Sequence, residues 1–329
     1  MQIKVSVIIP NYNGEEYLEN CMDSLMKQDV RSFEIIVIDD ASNDESMKRA
    51  AEKYPENGAF PRTRYVWHKE NKGFCASVNE GIELAAAPYV ILLNNDTVAE
   101  TSFVKEMFYA IRRSEKIFSV QAKMLSLKDQ DVIDDAGDYY CSLGWAYAAG
   151  KGRKASRYKK EKKIFAACAG AAIYRKEILQ KIGGFDEQHF AYLEDIDIGY
   201  RAKLHGLKNL FTPKAVVYHA GSAATGSRYN HFKARLSARN SVYIIYKNMP
   251  VWQIIVNFPL FVIGFSLKVL FYILKGMGNT YIKGLYEGMK LCRSEEGKQH
   301  RQDFKKIGLS GCFTMEAELL LNTLRRFGG

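Results

Sequence analysis

A paired glycine, Gly183 and Gly184, leads into Phe185-Asp186-Glu187-Gln188-His189-Phe190-Ala191-Tyr192-Leu193-Glu194-Asp195-Ile196-Asp197, a cluster of carboxylates opening a helix. A second acidic spot, Asn94-Asn95-Asp96, ends an apolar strand upstream, and a lone histidine, His219, ends another strand downstream. Two carboxylate sites and an imidazole at strand ends suit a metal-assisted transfer from a nucleotide-activated donor, which needs one carboxylate for the metal and one for the general base.

The elements that must position these groups are legible in the first third. Residues 3–10 read as a strand, 15–28 as a helix, 33–40 as a strand, 63–67 as a third strand, 73–86 as a helix, and 89–93, continuously apolar, as a buried fourth strand. Strand, helix, strand at this spacing predicts an α/β fold with a mostly parallel, Rossmann-like central sheet, right-handed crossovers, and ligands beyond the carboxyl ends of the strands. Asn11, Asp39, Asp40 and Asp96 fall at that edge.

The 329 residues are enough for one large domain or two, and 47% are hydrophobic. The six cysteines show no metal-ligand spacing and no signal segment precedes the first strand, which fits a reducing cytosol. The net charge of +10 lies wholly in residues 228–329, since acidic and basic side chains balance in 1–227. That asymmetry predicts a catalytic domain over residues 1–228 and a basic, helical region over 229–329 that meets an anionic partner.

Other nucleotide chemistries lack their signatures. The turn after the first strand reads Pro10-Asn11-Tyr12-Asn13-Gly14-Glu15-Glu16, without the glycine fingerprint of a dinucleotide fold. Gly150-Lys151-Gly152-Arg153-Lys154-Ala155 has no strand leading into it, and no P-loop lysine follows Gly221-Ser222-Ala223-Ala224-Thr225-Gly226-Ser227. Residues 151–163 hold eight Lys or Arg and one Glu, the composition of a solvated loop.

Six segments in order, Val5-Ser6-Val7-Ile8-Ile9-Pro10-Asn11-Tyr12-Asn13, Val37-Ile38-Asp39-Asp40-Ala41-Ser42, Asn71-Lys72-Gly73-Phe74, Leu92-Leu93-Asn94-Asn95-Asp96, Gly183-Gly184-Phe185-Asp186-Glu187 and Glu194-Asp195-Ile196-Asp197, resemble the landmarks of glycosyltransferase family 2 over about residues 3–245. The resemblance implies a GT-A fold, an inverting mechanism, a nucleotide-sugar donor and a divalent metal, Mg or Mn. Asn-Asn-Asp, the Glu-Asp-x-Asp helix and His-x-Gly-Ser together look most like bacterial rhamnosyltransferases of cell-surface polysaccharide synthesis. That implies dTDP-rhamnose as donor, with a UDP-hexose as rival, and a saccharide or polyprenyl-diphosphate-linked acceptor. A non-catalytic relative would be expected to lose Asp96 or Asp195, and both are present.

Carried onto this chain, the resemblance places Pro10, Tyr12, Asp40, Asn71, Gly73 and Asn95 around the nucleotide, Asp40 on the nucleobase imide. Asp195 becomes the general base, with Glu194 beside it. Asp96 is the one carboxylate in its amide-rich motif, so His219 is the candidate to complete the metal site, a ligand tilting towards Mn. Trp145 and the segment 168–172 fall where the family shapes its acceptor pocket, and Arg228, at the end of a small, polar segment, is a candidate phosphate contact.

Asp197 and Arg201, spaced i, i+4, read as a structural pair. Residues 251–274 are apolar but interrupted by Gln253, Asn257, Pro259, Gly264 and Lys268, which predicts a segment in the membrane interface rather than one that spans it. Residues 281–293 place Tyr281, Leu285, Met289 and Cys292 at helical spacing beside Lys283, Lys290 and Arg293, the pattern of a basic helix lying on a membrane or, equally, of a helical subdomain packed on the catalytic core. The expectation is a cytoplasmic protein, peripheral on the inner face of the membrane, with no nucleic-acid partner, since no recognition motif accompanies the basic excess.

Overall fold

Alternating apolar strands and amphipathic helices build the first half of the chain in the computed structural model, which describes residues 2–56, 58, 61–221 and 229–328. In order these are β1 (Val5–Asn11), α1 (Leu18–Met26), β2 (Phe33–Asp39), α2 (Ser46–Lys53), β3 (Arg62–Trp67), α3 (Phe74–Leu84), β4 (Tyr89–Leu93), β5 (Thr97–Ala99), α4 (Phe103–Arg112) and β6 (Ile117–Ser126). There follow β7 (Ile133–Asp135), β8 (Asp138–Cys141), β9 (Trp145–Ala148), β10 (Lys162–Ile164), β11 (Ala171–Arg175), α5 (Lys176–Lys181), α6 (Glu194–Leu204) and β12 (Lys208–His219).

The main sheet runs β10-β12-β6-β11-β4-β1-β2-β3, with β5 on β12 and β7 on β6. Neighbours β3-β2-β1-β4 are parallel, as the crossovers α1 and α3 require. The second half departs from the parallel expectation. β11 lies antiparallel between β4 and β6, and β12 returns parallel to β6 with a register shift between Phe211 and Val216, where Pro213 has no N–H to give the ladder.

Period-two alternation divides the core. Val5, Val7 and Ile9 pack with α1, α2 and α4 on one face, while Ile8, Ile36 and Ile38 pack with α3 and α6 on the other. Gly81 in α3 is required here, because a Cβ would come within 2.4 Å of Ile8 Cγ2.

The last hundred residues are helical: α7 (His231–Asn248), α8 (Val251–Leu274), α9 (Gly278–Arg293), the short α10 (Glu295–Gln299) and α11 (Phe304–Ile307), and α12 (Leu309–Phe327). They are welded to the sheet layer. Met315 and Leu319 of α12 join the core cluster of Tyr140 and Tyr200, and Asn322 Nδ2 donates to the Tyr140 carbonyl at 2.9 Å.

The stripe expected to face lipid in residues 281–293 is divided instead: Tyr281 is buried, Leu285 and Cys292 are half-buried, and Met289 is exposed. Tyr281 is fully buried and stacks on Tyr272 at 4.5 Å. Gly284 and Gly288 sit so close to the α7 backbone that a Cβ would approach the Arg235 and Arg239 carbonyls to 2.3 and 2.5 Å. Small residues at i, i+4 let the α7 and α9 backbones meet, so α9 packs on protein while α8 carries the exposed apolar surface.

Candidate active site

The carboxyl ends of β1, β2 and β4 meet in a hydrogen-bonded row. Asn11, at the end of β1, donates from Nδ2 to Asp39 Oδ1 at 2.7 Å and to Ser46 Oγ at 3.0 Å, and its Oδ1 accepts from Asn95 Nδ2 at 2.7 Å. Gly14 makes room for this pair, since a Cβ there would lie 2.2 Å from Asn11 Oδ1. Asp39 is the turn-former of the two aspartates, accepting from the Ser42 backbone N–H and hydroxyl at 3.0 and 2.6 Å.

Asp40 shapes the neighbouring loop. Its carboxylate accepts from the Lys72 and Gly73 N–H groups, both at 2.8 Å, and pairs with His68 Nδ1 at 2.9 Å. Gly73, at φ +89°, also donates to Asn71 Oδ1, so Asn71 and Gly73 are held in the turn that opens α3. Pro10 is half-buried, and Tyr12, 36% exposed, stands over this edge.

Asp96 and His219 come together through sheet pairing. β5 runs antiparallel to the end of β12 with Thr97 opposite His219, and the Ala220 N–H donates to the Asp96 carbonyl. His219 Nε2 lies 3.1 Å from Asp96 Oδ1, and Nδ1 lies 2.8 Å from Asp134 Oδ2. Lys151 Nζ sits 2.7 Å from the other Asp134 oxygen. Burial alone would lower the His219 pKa, but its two carboxylate partners outweigh it and raise the pKa to about 9. Burial would likewise raise Asp134, and His219 and Lys151 pull it down to about 2. Without a cation that pKa keeps His219 protonated between the two carboxylates; a metal that displaced the Nε2 proton would meet an imidazole whose Nδ1–H remains on Asp134, the arrangement of a histidine ligand backed by a carboxylate. The donor set therefore fits a divalent cation completed by oxygens of a diphosphate.

Asp195 opens α6 on the same side of the sheet and belongs to a cluster of carboxyls. It shares a hydrogen bond with Asp138 of β8, and Asp135, Asp138 and Cys168 each offer a ligand atom within 4.8 Å of the others. Burial raises the Asp195 pKa, which the hydrogen bond from Asp138 partly offsets. Burial first, then Asp135 and Asp195, push Asp138 well above the carboxylate range. Asp135, held by Gln121 Nε2 and the Gly137 N–H, is raised by burial to about 6. This acidic cluster could hold a metal, but burial and its carboxyl neighbours also raise the Cys168 thiol far above its usual pKa, leaving a poor ligand.

Glu194 is buried with Oε2 lacking any hydrogen bond, and burial beside Asp195 lifts its pKa to about 8. A carboxyl raised in the folded state stabilises below its unfolded pKa, and that contribution is lost as pH rises through the folded value. Glu194→Gln is accordingly expected to flatten the decline of stability between pH 4.5 and about 8. Urea melts at the two ends of that window read this, and identical pH dependence in both proteins would refute the assignment.

The loop before α6 is strained and pinned. Phe190, Tyr192 and Leu193 have φ values of 62°, 69° and 67°, a region costing non-glycine residues of order 1–3 kcal/mol each. Asn240 of α7, fully buried, offsets this by directing Nδ2 at the carbonyls of His189, Ala191 and Tyr192 at 3.0, 2.9 and 2.8 Å.

Below the loop, Lys247 Nζ lies 2.6 Å from Asp186 and 2.9 Å from Asp197, and Arg201 closes on Asp197 at 2.7 Å. Asp186, His189 and Asp197 have metal-like spacing, but the ammonium and guanidinium already fill that position. Asp197 and Arg201 are the structural pair that their spacing predicts.

Trp145 lies in the β8–β9 hairpin with Nε1 donating to the Gly264 carbonyl of α8 at 3.0 Å, at the seam with the helical region. Arg228 lies outside the described residues. Sequence reasoning missed Asp134, Asp138, Asn240 and Lys247. The spacing Asp134-Asp135-x-x-Asp138 was a usable signal, and Asn240, Tyr243 and Lys247 share one stripe of α7.

The model of the family described as glycosyl transferase family 2 matches residues 6–183. Glycosyltransferase GlyG of Streptococcus pneumoniae serotype 4 is 29% identical over 137 residues, 41% of this chain and 39% of that protein, so the match spans about two fifths of the relative's length. Among solved structures, GalNAc-T7 with UDP, GalNAc and Mn2+ is similar at TM-score 0.58 and 19% identity, covering 74% of this chain and 48% of the other. The mannosyltransferase PcManGT of Pyrobaculum calidifontis, in complex with GDP-Man and Mn2+, is similar at TM-score 0.54 and 17% identity, covering 97% and 85%.

Proposed function

The chain belongs to glycosyl transferase family 2, and on that premise we propose that it transfers a sugar from a nucleotide diphosphate donor to an acceptor hydroxyl with inversion, Asp195 acting as general base. The observation that carries this reading is the placement of two chemically distinct centres on one side of the sheet: Asp96 with His219 and Asp134, and the carboxyl pair of Asp195 and Asp138.

The nucleotide lies along the row from Asn11 to Asn95. Tyr12 stacks on the base with Pro10 beneath it, Asp40 offers a free lone pair to the base imide, and Asn71, Gly73 and Asn95 line the ribose and diphosphate side. Asp96 and His219 hold the divalent ion, Mg or Mn, with Asp134 fixing the histidine tautomer. When bound, the ion supplies charge stabilisation for the departing diphosphate. Asp195 takes the proton of the acceptor hydroxyl as that oxygen attacks the anomeric carbon. The bond from that carbon to the diphosphate oxygen breaks, and the diphosphate leaves with the electron pair. Protonated Asp138 donates to Asp195 and holds its second oxygen towards the acceptor.

The donor is dTDP-rhamnose, and a UDP-hexose is the second reading, because the imide read by Asp40 is common to thymine and uracil. The acceptor is a saccharide, free or on a polyprenyl diphosphate, met at the inner face of the membrane, with Trp145 at the acceptor side of the hairpin and Arg228 a phosphate contact.

Incubating the protein with each donor, with and without chelator, tests the assignment. Transfer or donor hydrolysis is expected only with a pyrimidine donor and free metal, and His219→Ala or Asp134→Asn is expected to weaken metal-dependent donor binding by about tenfold or more. Full activity in excess chelator would remove the metal from the scheme, and activity restricted to a purine donor would remove Asp40 from the base site.

A further inference from the structure

Helix α8 combines features that set it apart from the rest of the molecule. It has 24 residues at a mean hydropathy of 2.1 in its most apolar window, and only 17% of that window is buried. Ile255, Phe258, Ile263, Leu270 and Leu274 are between 51% and 78% exposed. Phe313 of α12 packs at a tilt on Trp252 of α8, 5.0 Å between ring centroids, and Phe313, Leu324 and Phe327 are themselves at least 59% exposed, so exposed apolar side chains of α12 add to those of α8.

Length and composition alone would let α8 cross a bilayer, but its inner face forbids it. Gln253 and Asn257 both donate to Glu316 of α12, at 2.7 and 2.8 Å. About two turns further on, Gly264 lies against the β8–β9 hairpin, where a Cβ would meet the Leu143 carbonyl at 2.2 Å. A helix bonded along this stripe to the catalytic body cannot also be ringed by lipid.

Charge decides what covers the face. Lys275 ends α8, Arg325 and Arg326 end α12, and Lys305 and Lys306 precede it, all exposed. A second copy seated on this face would bring one basic rim against another, whereas an anionic bilayer complements both rim and apolar centre. Lys268, the one charge within α8, continues the inner stripe one turn beyond Gly264, where burial beside Cys141 lowers its pKa to about 8, so the charge offered to the bilayer is that of the rim.

We propose that α8 and α12 form a monotopic docking surface for an anionic lipid bilayer, lying along its interface, with the basic side chains at the helix ends meeting the lipid phosphates. This deepens the reading of an acceptor at the inner membrane face and names the surface that would meet it. Hydrophobic burial of the exposed side chains supplies a salt-insensitive part of the binding, and the basic rim a salt-sensitive part.

Flotation of the full chain with vesicles of phosphatidylcholine alone, or containing phosphatidylglycerol, tests it at low and high salt. The protein is expected to float with the anionic vesicles, less so in high salt. Ile263→Glu with Leu270→Glu is expected to weaken that binding by about tenfold or more without changing the thermal melt, and Arg325→Gln with Arg326→Gln by about fivefold on anionic vesicles only. If the charged pair unfolds the protein, Ile263→Gln with Leu270→Gln gives the same comparison at lower cost to folding. Absence of flotation with either vesicle would overturn the proposal, as would equal flotation of wild type and folded variants. Sedimentation showing a dimer that the same variants dissociate would assign the face to a second copy and overturn it too. Donor hydrolysis without lipid reads the transferase assignment independently, so either can fail alone.

Discussion

Asp195→Asn is expected to lower transfer by about 10²-fold or more while leaving donor binding nearly intact. The amide keeps the size and reach of the carboxylate but cannot accept the hydroxyl proton, so the loss falls on kcat rather than on the donor KM. Asp138→Asn separates basicity from position. It leaves a weaker hydrogen-bond donor towards Asp195 in place of a carboxyl that already carries its proton, so part of the offset to burial is lost and the acid limb of the pH–rate profile is expected to move to higher pH with a smaller loss of rate. Turnover of Asp195→Asn comparable to wild type would move the base to another group.

The second large effect is on stability. Lys247 is 2% exposed and bridges two buried carboxylates, Asp186 and Asp197. Lys247→Met removes the cation and leaves both acids behind, a situation that costs about 3–5 kcal/mol. Arg201 and Asn248 still hold Asp197, and Tyr243 still donates to Asp186, so the more exposed loss is at Asp186. Denaturant midpoints should show it, and Asp186→Asn combined with Lys247→Met should recover part of the loss, because the uncompensated charge is then gone. An unchanged midpoint in the single variant would mean that the network contributes nothing.

Much of the donor edge was legible because it is local. β4 matches its apolar run to the residue, and β1, β2 and α3 differ from the expected limits by a few residues at their ends. Asn11, Asp40 and Asp96 lie where a parallel strand must deliver them. The rest depends on pairings that no short window contains. Asp134 reaches His219 across 85 positions, Asn240 reaches the loop before α6 across about 50, and Lys247 reaches Asp186 across 61.

Composition misdirected the reading of the tail for a related reason. Residues 281–293 and 251–274 both satisfy an interfacial pattern, and only the partner surface decides which one is covered. The glycines of α9, invisible to a hydrophobic pattern, turn that helix onto α7. α8, anchored by Gln253 and Asn257, is left facing outwards.

The hold of Asn240 on the loop before α6 also orders events in time. A chain emerging from the ribosome delivers the strands of the donor edge and then Asp195 well before α7 appears. Until α7 docks, the left-handed backbone at Phe190, Tyr192 and Leu193 lacks the three Asn240 bonds and keeps only such ties as the one from the Cys75 N–H to the Phe190 carbonyl. On the proposed assignment, a prematurely ended chain is expected to bind nucleotide better than it turns it over, because the segment that carries Asp195 is fixed last.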